Sequence, residues 1–217
     1  MKIYVVLLRG INVGGKNRIP MAQLKQCLEK LGYSYVSTYI ASGNVVLKSH
    51  QPPEQTRTRI EKALPRSFKL DNELIKALVL TPNQFSAVID NKPEGFGEQP
   101  DKYHSDAVFL MGIDSAQAMS VFNPGEGVDR VWPGEGVIYS QRLSALRTKS
   151  RLNQVLATPA YQHMTVRSWN TTTRLHELLR GLEAGREEAA LAQLQAGPKI
   201  VRRKPRPKKP EKRKPGA

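Results

Sequence analysis

The residues with the clearest chemical potential lie in a glycine-rich segment near the start of the chain. Gly10, Gly14, Gly15 and Lys16 fall within residues 8–17, directly after an apolar run. Glycine adopts backbone angles closed to other residues, so such a segment can curve around an anion without a side chain in the way. Backbone N–H groups beside a lysine are typical of sites for phosphate or carboxylate. We predict that this segment is an anion-binding loop.

The segment nearly matches the phosphate-binding loop of nucleotide hydrolases. Gly10, Gly15 and Lys16 have the required spacing, but Asn17 stands where that motif has the Ser or Thr that binds Mg²⁺. Pro20 also delays the following helix, whereas a hydrolase loop starts its helix at the lysine. The sequence therefore favours anion binding without nucleotide hydrolysis.

Other polar residues are expected at the same place, because the topology predicted below brings the turn after the second strand next to this loop. Arg167 is a candidate for the same anion, and Trp169 for stacking on a base or sugar. The candidate ligand-binding residues are Arg9, Asn12, Gly14, Gly15, Lys16, Asn17, Ser42, Asn44, Arg167, Trp169 and Asn170.

Each part of this set also has a structural interpretation. The glycines can simply turn the chain while Asn12 hydrogen-bonds its own backbone, as Asn often does in turns. In the segment 167–171, Asn170 or Thr171 can cap a helix and Trp169 can pack beneath it. The sequence leaves these alternatives open.

Catalytic and metal-binding sets are harder to find. The four histidines show no metal-ligand spacing, and the single cysteine, Cys27, cannot form a cluster. We therefore predict no metal and no cofactor. No acid/base pair or nucleophile is assigned, and the sequence leaves open whether the chain is an enzyme.

The elements that must position the candidate residues alternate between strand and helix. The apolar periodicity predicts strands at 3–8, 35–40, 44–48 and 74–80 with helices at 20–31 and 53–67. A second series has strands at 107–111, 128–132, 136–140 and 163–167, with helices at 115–122, 146–156 and 171–182. Each series follows the β-α-β-β-α-β order of a ferredoxin-like unit.

The predicted fold class is therefore α+β, with two ferredoxin-like β-α-β-β-α-β units, a C-terminal helix and a disordered basic tail. The predicted divisions are a first unit at 1–80, a connecting helix and loop at 81–103, a second unit with its closing helix at 104–182, a helical extension at 183–197 and the tail at 198–217.

The net charge of +15 is concentrated in that tail. Residues 198–217 contain ten Lys or Arg and one acid, a net charge of +9, which leaves +6 for residues 1–197. A proline-broken cationic segment cannot form a core and can attract nucleic acid through phosphate charge, or it can serve only for solubility. The apolar runs are too short for a signal peptide or a membrane span, so we expect a cytoplasmic protein with no membrane partner.

Three segments resemble the signature blocks of the DUF1697 family, a family whose domain has no assigned function. They are LRGINVGGKNRIPM at 8–21, TYIASGNVV at 38–46 and TVRSWNTTTRL at 165–175. The resemblance covers residues 1–182 and implies an α+β protein with ferredoxin-like units, without implying an activity. Ser168 stands where the family commonly has Asn.

Three hypotheses about function follow from the sequence. The first is binding of a phosphate-bearing ligand, a nucleotide or a nucleic acid, at the basic glycine loop. The second is a small-molecule enzyme that orients an anionic substrate at the same edge, with cationic side chains stabilising developing negative charge. The third is a structural loop with no ligand. The oligomeric state is left open.

Overall fold

The computed structural model of the chain describes residues 1–71 and 75–185. The strands are β1 (Lys2–Arg9), β2 (Ser34–Tyr39), β3 (Asn44–Ser49), β4 (Lys76–Leu80), β5 (Tyr103–Leu110), β6 (Asp129–Gly134), β7 (Val137–Leu143) and β8 (Met164–Ser168). The α-helices are α1 (Met21–Lys30), α2 (Pro53–Ser67), α3 (Pro82–Asp90), α4 (Ser115–Met119) and α5 (Trp169–Glu183). The predicted tail at 198–217, and the predicted helical extension beyond residue 185, lie outside the described residues.

The strands form two four-stranded antiparallel sheets, in the orders β2-β3-β1-β4 and β6-β7-β5-β8. In each sheet the first strand of its half, β1 or β5, lies inside, between the third strand and the last. The prediction of an α+β fold is confirmed at this level.

Strand β1 is buried on both faces, which explains its nearly continuous apolar sequence. Because successive side chains of a strand point to opposite faces, its even-numbered and odd-numbered residues belong to different cores. Tyr4 and Val6 pack with residues of α1 and α2. Val5 and Leu7 pack instead with α3, α5 and the second sheet, including Phe109. The two sheets therefore share a central core.

The predicted helix at 146–156 is wrong. The chain there forms three short 3-10 helices, at Ser144–Lys149, Leu152–Ala157 and Pro159–His163. Two polar side chains divide the segment, since Ser150 Oγ accepts from Leu152 N at 3.3 Å and Asp129 Oδ2 accepts from Arg151 N at 2.8 Å. Such side chains compete with helical hydrogen bonds, and the periodicity of the sequence does not reveal this competition.

Candidate anion-binding loop and the adjacent seam

The glycine loop ends in a tight two-residue turn. Val13 and Lys16 form an isolated bridge, and Lys16 N donates to Val13 O at 3.0 Å. The central residues have positive φ, +58° at Gly14 and +79° at Gly15. Positive φ at both central positions is the geometry of a type I′ turn, which requires glycine or asparagine there. The glycine pair is therefore explained by the turn itself.

Asn12 and Asn17 hold the base of this turn, both with positive φ, +54° and +46°. Asn12 N donates to Asn17 O at 3.1 Å. The Asn12 side chain accepts from Ile19 N at 2.8 Å and donates to Ile19 O and Ala41 O, each at 3.0 Å. Asn tolerates left-handed backbone angles and bonds locally. The structural interpretation of Asn12 agrees with these contacts.

Asn17 is buried and ties the loop to Asp71, in the connection between α2 and β4. Asn17 Nδ2 donates to Gly10 O at 2.7 Å, and its Oδ1 accepts from Asp71 N at 2.7 Å. Asn17 N donates to the Asp71 carboxylate at 2.5 Å. A carboxylate of the chain itself thus takes one of the N–H groups expected to face a ligand.

The outer part of the loop stays open to solvent. We define the tip as residues 13–16 together with Arg18, all of which are exposed. Arg18 folds over the turn, and its Nε donates to Gly15 O at 3.1 Å. Within the described ranges, the N–H groups of Gly14 and Gly15 donate to no other atom of the chain. The tip therefore presents two cationic side chains and two available amides on a fixed base.

The turn between β2 and β3 lies directly beside the loop. Leu8 N donates to Gly43 O at 2.8 Å, and a Cβ on Gly43 would stand 2.8 Å from that of Leu8. Asn44 is fully buried, and its Nδ2 donates to Tyr39 O at 3.0 Å and to Ser42 Oγ at 2.8 Å. The structure thus brings Ser42 and Asn44 close to the loop but uses both in shaping the turn.

Arg167, on β8, reaches from the second half of the chain into this region. Its Nε donates to Asn44 Oδ1 at 2.5 Å and its Nη2 to Leu8 O at 2.8 Å. Nη1 donates to Thr165 Oγ1 and Val166 O, at 2.9 and 2.8 Å. Burial lowers the pKa of Arg167 to about 10, so the side chain is charged at neutral pH. No carboxylate within the described residues forms an ion pair with it.

Arg9 makes the reciprocal connection from the first half to the second. Its Nε donates to Met164 O at 2.8 Å and its Nη2 to Tyr161 O at 3.2 Å, with the guanidinium 5.0 Å from the centre of the Tyr161 ring. We call the contacts of Arg9 and Arg167 the arginine seam. The planar guanidinium suits this role because it offers five donors in fixed directions. In the seam, both described donors of Arg9 and the Nη2 of Arg167 satisfy main-chain carbonyls of the opposite half.

Trp169 and Asn170 lie apart from the loop, at the start of α5. Trp169 is 8% exposed and packs edge-on against Phe96 with a ring separation of 5.0 Å. Ser168 caps the helix by accepting from Thr171 N at 3.3 Å, the role expected of Asn170 or Thr171. Asn170 is exposed beside a separate cleft. These two residues do not join the other candidates at the loop.

Arg18 is visible in the sequence as a cation of the loop beside Arg9 and Lys16, and one further residue of the loop region was missed from the sequence. Asp71 lies 54 residues beyond Asn17 in a polar stretch, and no local pattern connects the two. Long-range pairing of this kind depends on the folded arrangement.

The fold and site together define an α+β protein with two antiparallel sheets joined at a buried seam and an exposed glycine turn beside it. Among the described residues, no helix is both long and apolar enough to span a membrane. The family described as "Protein of unknown function (DUF1697)" matches residues 1–139, and the chain belongs to this family.

One similar solved structure is that of the conserved bacterial protein SP0830 from Streptococcus pneumoniae. It is 28% identical in sequence, with a TM-score of 0.66, and the match covers 82% of this chain and 98% of the other. A search among curated proteins found no match.

Proposed function

We propose that the protein binds a phosphate-bearing ligand, a nucleic acid or a nucleotide, through the tip. The observation that carries this proposal is that the base of the loop uses its hydrogen-bonding groups within the chain, whereas two amides of the tip stay available. The amides and side chains of Asn12 and Asn17 fix its base, whereas Gly14 and Gly15 keep their N–H groups available beside two exposed cations. A site ordered before binding loses little conformational entropy when the ligand arrives.

The chemistry at the tip suits phosphate. A charge-assisted hydrogen bond contributes about 1.5–3 kcal/mol, so Lys16 and Arg18 together contribute about 3–6 kcal/mol before ordering costs are subtracted, which corresponds to dissociation constants from roughly millimolar to tens of micromolar. Neither is in an ion pair within the described part of the chain, and each can therefore meet phosphate without losing a carboxylate partner. The exposure of the tip favours an extended ligand, and single-stranded nucleic acid is our first choice.

The proposed site is smaller than the set expected from the sequence. Arg9 and Arg167 are used in the seam, and their guanidinium groups donate to carbonyls rather than to solvent. The enzyme hypothesis offered Arg9, Lys16 or Arg167 to stabilise developing negative charge, and of these three only Lys16 lies at the exposed tip, so the geometry favours binding over catalysis at this edge.

We also propose that the two halves are ferredoxin-like units, at 1–80 and 104–182, connected by residues 81–103. Two observations support this reading. The sheets have equivalent strand orders, and each half has an inner first strand. The second half departs from the simple pattern because 3-10 helices replace its second long helix.

The test is a titration of a short single-stranded oligonucleotide, followed by fluorescence anisotropy at low salt. We expect the double variant Lys16→Ala/Arg18→Ala to bind about tenfold or more weakly than the parent. The matched control is Arg147→Ala/Lys149→Ala, which removes two exposed cations at the same spacing from the second half. Equal affinity of both variants would reject the tip as the site and favour the structural-loop hypothesis.

The basic tail needs a separate arm of the same experiment. Nonspecific attraction by residues 198–217 would disappear in a chain shortened to residues 1–197, with a steep loss of affinity as salt rises in the full chain. Binding through the tip would persist in the shortened chain and would still depend on Lys16 and Arg18.

A further inference from the structure

A cleft on the second half, away from the tip, has the features of a small-molecule site. It has a volume of about 390 Å³ and lies between the end of the connecting segment, the start of β5 and the first turn of α5. Its walls include Gly97, Tyr103, His104, Ser105 and Trp169. This size falls within the range typical of ligand pockets.

The first element of the cleft is the N-terminus of α5, a helix of fifteen residues. The first N–H groups of a helix have no partner within it, and the helix dipole favours negative charge at this end. Ser168 Oγ accepts from Thr171 N, and Asn170 and Thr173 from the same end of the helix line the cleft. This feature alone does not make a site.

The second and independent element is an unpaired donor on the wall. Trp169 is 8% exposed, yet its indole N–H donates to no atom among residues 1–71 and 75–185. The ring is largely buried, but its nitrogen reaches solvent, so the N–H is open to a ligand in the cleft. Gly97 lies against that edge of the ring, with φ of +77°, and a Cβ there would stand 2.3 Å from Nε1. The absence of that Cβ leaves the donor accessible from the cleft.

A second donor on the wall is the Ser105 hydroxyl. Ser105 Oγ accepts from Gln141 Nε2 at 3.0 Å, which leaves its own hydrogen to donate. His104 Nε2 lies 3.1 Å from Asp106 Oδ1, so this ring nitrogen already has a partner within the chain.

The rim of the cleft adds positive charge. Lys102 Nζ lies 5.1 Å from the centre of the Tyr103 ring, and the Arg130 guanidinium 6.0 Å. The nearest carboxylate to His104, that of Asp106, is also 3.6 Å from Arg142, so its charge is balanced within the wall.

We propose that this cleft binds a small phosphomonoester. Its phosphate would accept from the Trp169 indole, the Ser105 hydroxyl and the first turn of α5, while its organic group packs on the Tyr103 ring. A phosphomonoester presents three terminal oxygen atoms in different directions, one for each of the three elements that carry donors, whereas a carboxylate presents two in one plane. This site is distinct from the tip and does not depend on the proposal made for it.

The test uses the ¹⁵N-labelled full chain with phenyl phosphate as the probe, followed through the two indole N–H signals in NMR spectra. Trp132→Phe assigns the signals by removing one of them. We expect the Trp169 indole proton to move downfield and to saturate in the millimolar range or below, with the Trp132 signal unmoved. Benzoate is the matched carboxylate and should shift the Trp169 signal much less.

Variants make the assignment stricter. Trp169→Phe keeps an aromatic ring and removes the indole donor, and Ser105→Ala removes the hydroxyl donor of the wall. Each should weaken binding of phenyl phosphate about tenfold, as monitored by the amide signals of α5. Trp132→Phe and Lys16→Ala/Arg18→Ala should bind like the parent.

Three results would overturn the proposal. They are an unmoved Trp169 signal at millimolar phenyl phosphate, an equal response to benzoate, and unchanged affinity in both the Trp169→Phe and Ser105→Ala variants. Loss of phenyl phosphate binding in the tip variant would place the ligand at the tip instead.

Discussion

The tip and the arginine seam are adjacent and are built from the same residue types, yet their cations have opposite environments. Lys16 and Arg18 lie on a turn and are exposed, whereas Arg167 is 7% exposed and Arg9 is half-buried. The seam cations donate to carbonyls across the boundary between the two halves. In this region, a cation at the end of a strand has a structural role, whereas a cation on the turn stays accessible to a ligand.

This comparison explains why a basic segment near glycine is a weak guide to a site. A guanidinium at the end of a strand reaches carbonyl groups that the sheet leaves unpaired, and burying them without a donor would be costly. A lysine on a tight turn has no such carbonyl within reach. The cations of the tip are therefore the ones available to a ligand.

The largest loss of stability is expected when the buried guanidinium of Arg167 is removed from the arginine seam. Arg167→Met leaves Asn44 Oδ1 and Leu8 O without their buried donor, so we expect the free energy of unfolding to fall by about 3 kcal/mol. Urea denaturation measures this loss, with the exposed Arg147→Met as control. A loss no greater than that of the control would mean that the seam does not hold the halves together.

The second largest loss of stability is expected at Asn17, in the base of the glycine loop. Asn17→Ala removes the side-chain hydrogen bonds to Gly10 O and from Asp71 N and places alanine at φ +46°, for an expected loss of about 2 kcal/mol. Asn17→Gly removes the same bonds without the backbone strain and should recover about 1 kcal/mol of that loss. If the two variants were equally stable, backbone strain at this position would be unimportant.

A smaller effect is expected at the turn. A Cβ on Gly14 would meet no atom within 4 Å, so the cost of Gly14→Ala comes from its φ of +58° alone and should be about 1 kcal/mol. Gly14→Asn should cost less, because asparagine tolerates this region. Thermal unfolding of the pair checks the order, and a less stable Asn variant would contradict it.

The smallest effect on stability belongs to the cations of the tip. Lys16→Ala/Arg18→Ala should change the free energy of unfolding by no more than about 0.5 kcal/mol, since both side chains are exposed. Measured beside Arg167→Met, this variant separates accessible charge from structural charge. A loss as large as that of Arg167→Met would contradict the distinction between accessible charge at the tip and structural charge in the seam.

The strands, most of the helices and the closeness of the loop to the β2–β3 turn follow from periodicity and topology in the sequence. The nearly continuous apolar sequence of β1 also reflects its two cores. The 3-10 segment after β7 could not be predicted, because the contact from Asp129 to Arg151 N spans 22 residues. The pairing of Asn17 with Asp71 could not be predicted for the same reason, because the two residues are 54 positions apart.

The candidate site was predicted in part. The glycine turn and Lys16 are where the sequence pattern indicated, and the surrounding asparagines are close by. The roles of Arg9 and Arg167 depend on how two halves meet, over separations of 155 and 159 residues. No local pattern distinguishes an arginine that reaches a carbonyl from one that reaches a ligand.

The most direct test of the central claim is an NMR titration of the backbone amides with a short single-stranded oligonucleotide. We expect saturable shifts of the Gly14 and Gly15 amide signals. The amide signals of Asn12 and Asn17 should shift much less, because these N–H groups already donate within the chain. Unmoved glycine signals while the oligonucleotide binds elsewhere on the chain would contradict the assignment of phosphate binding to the tip.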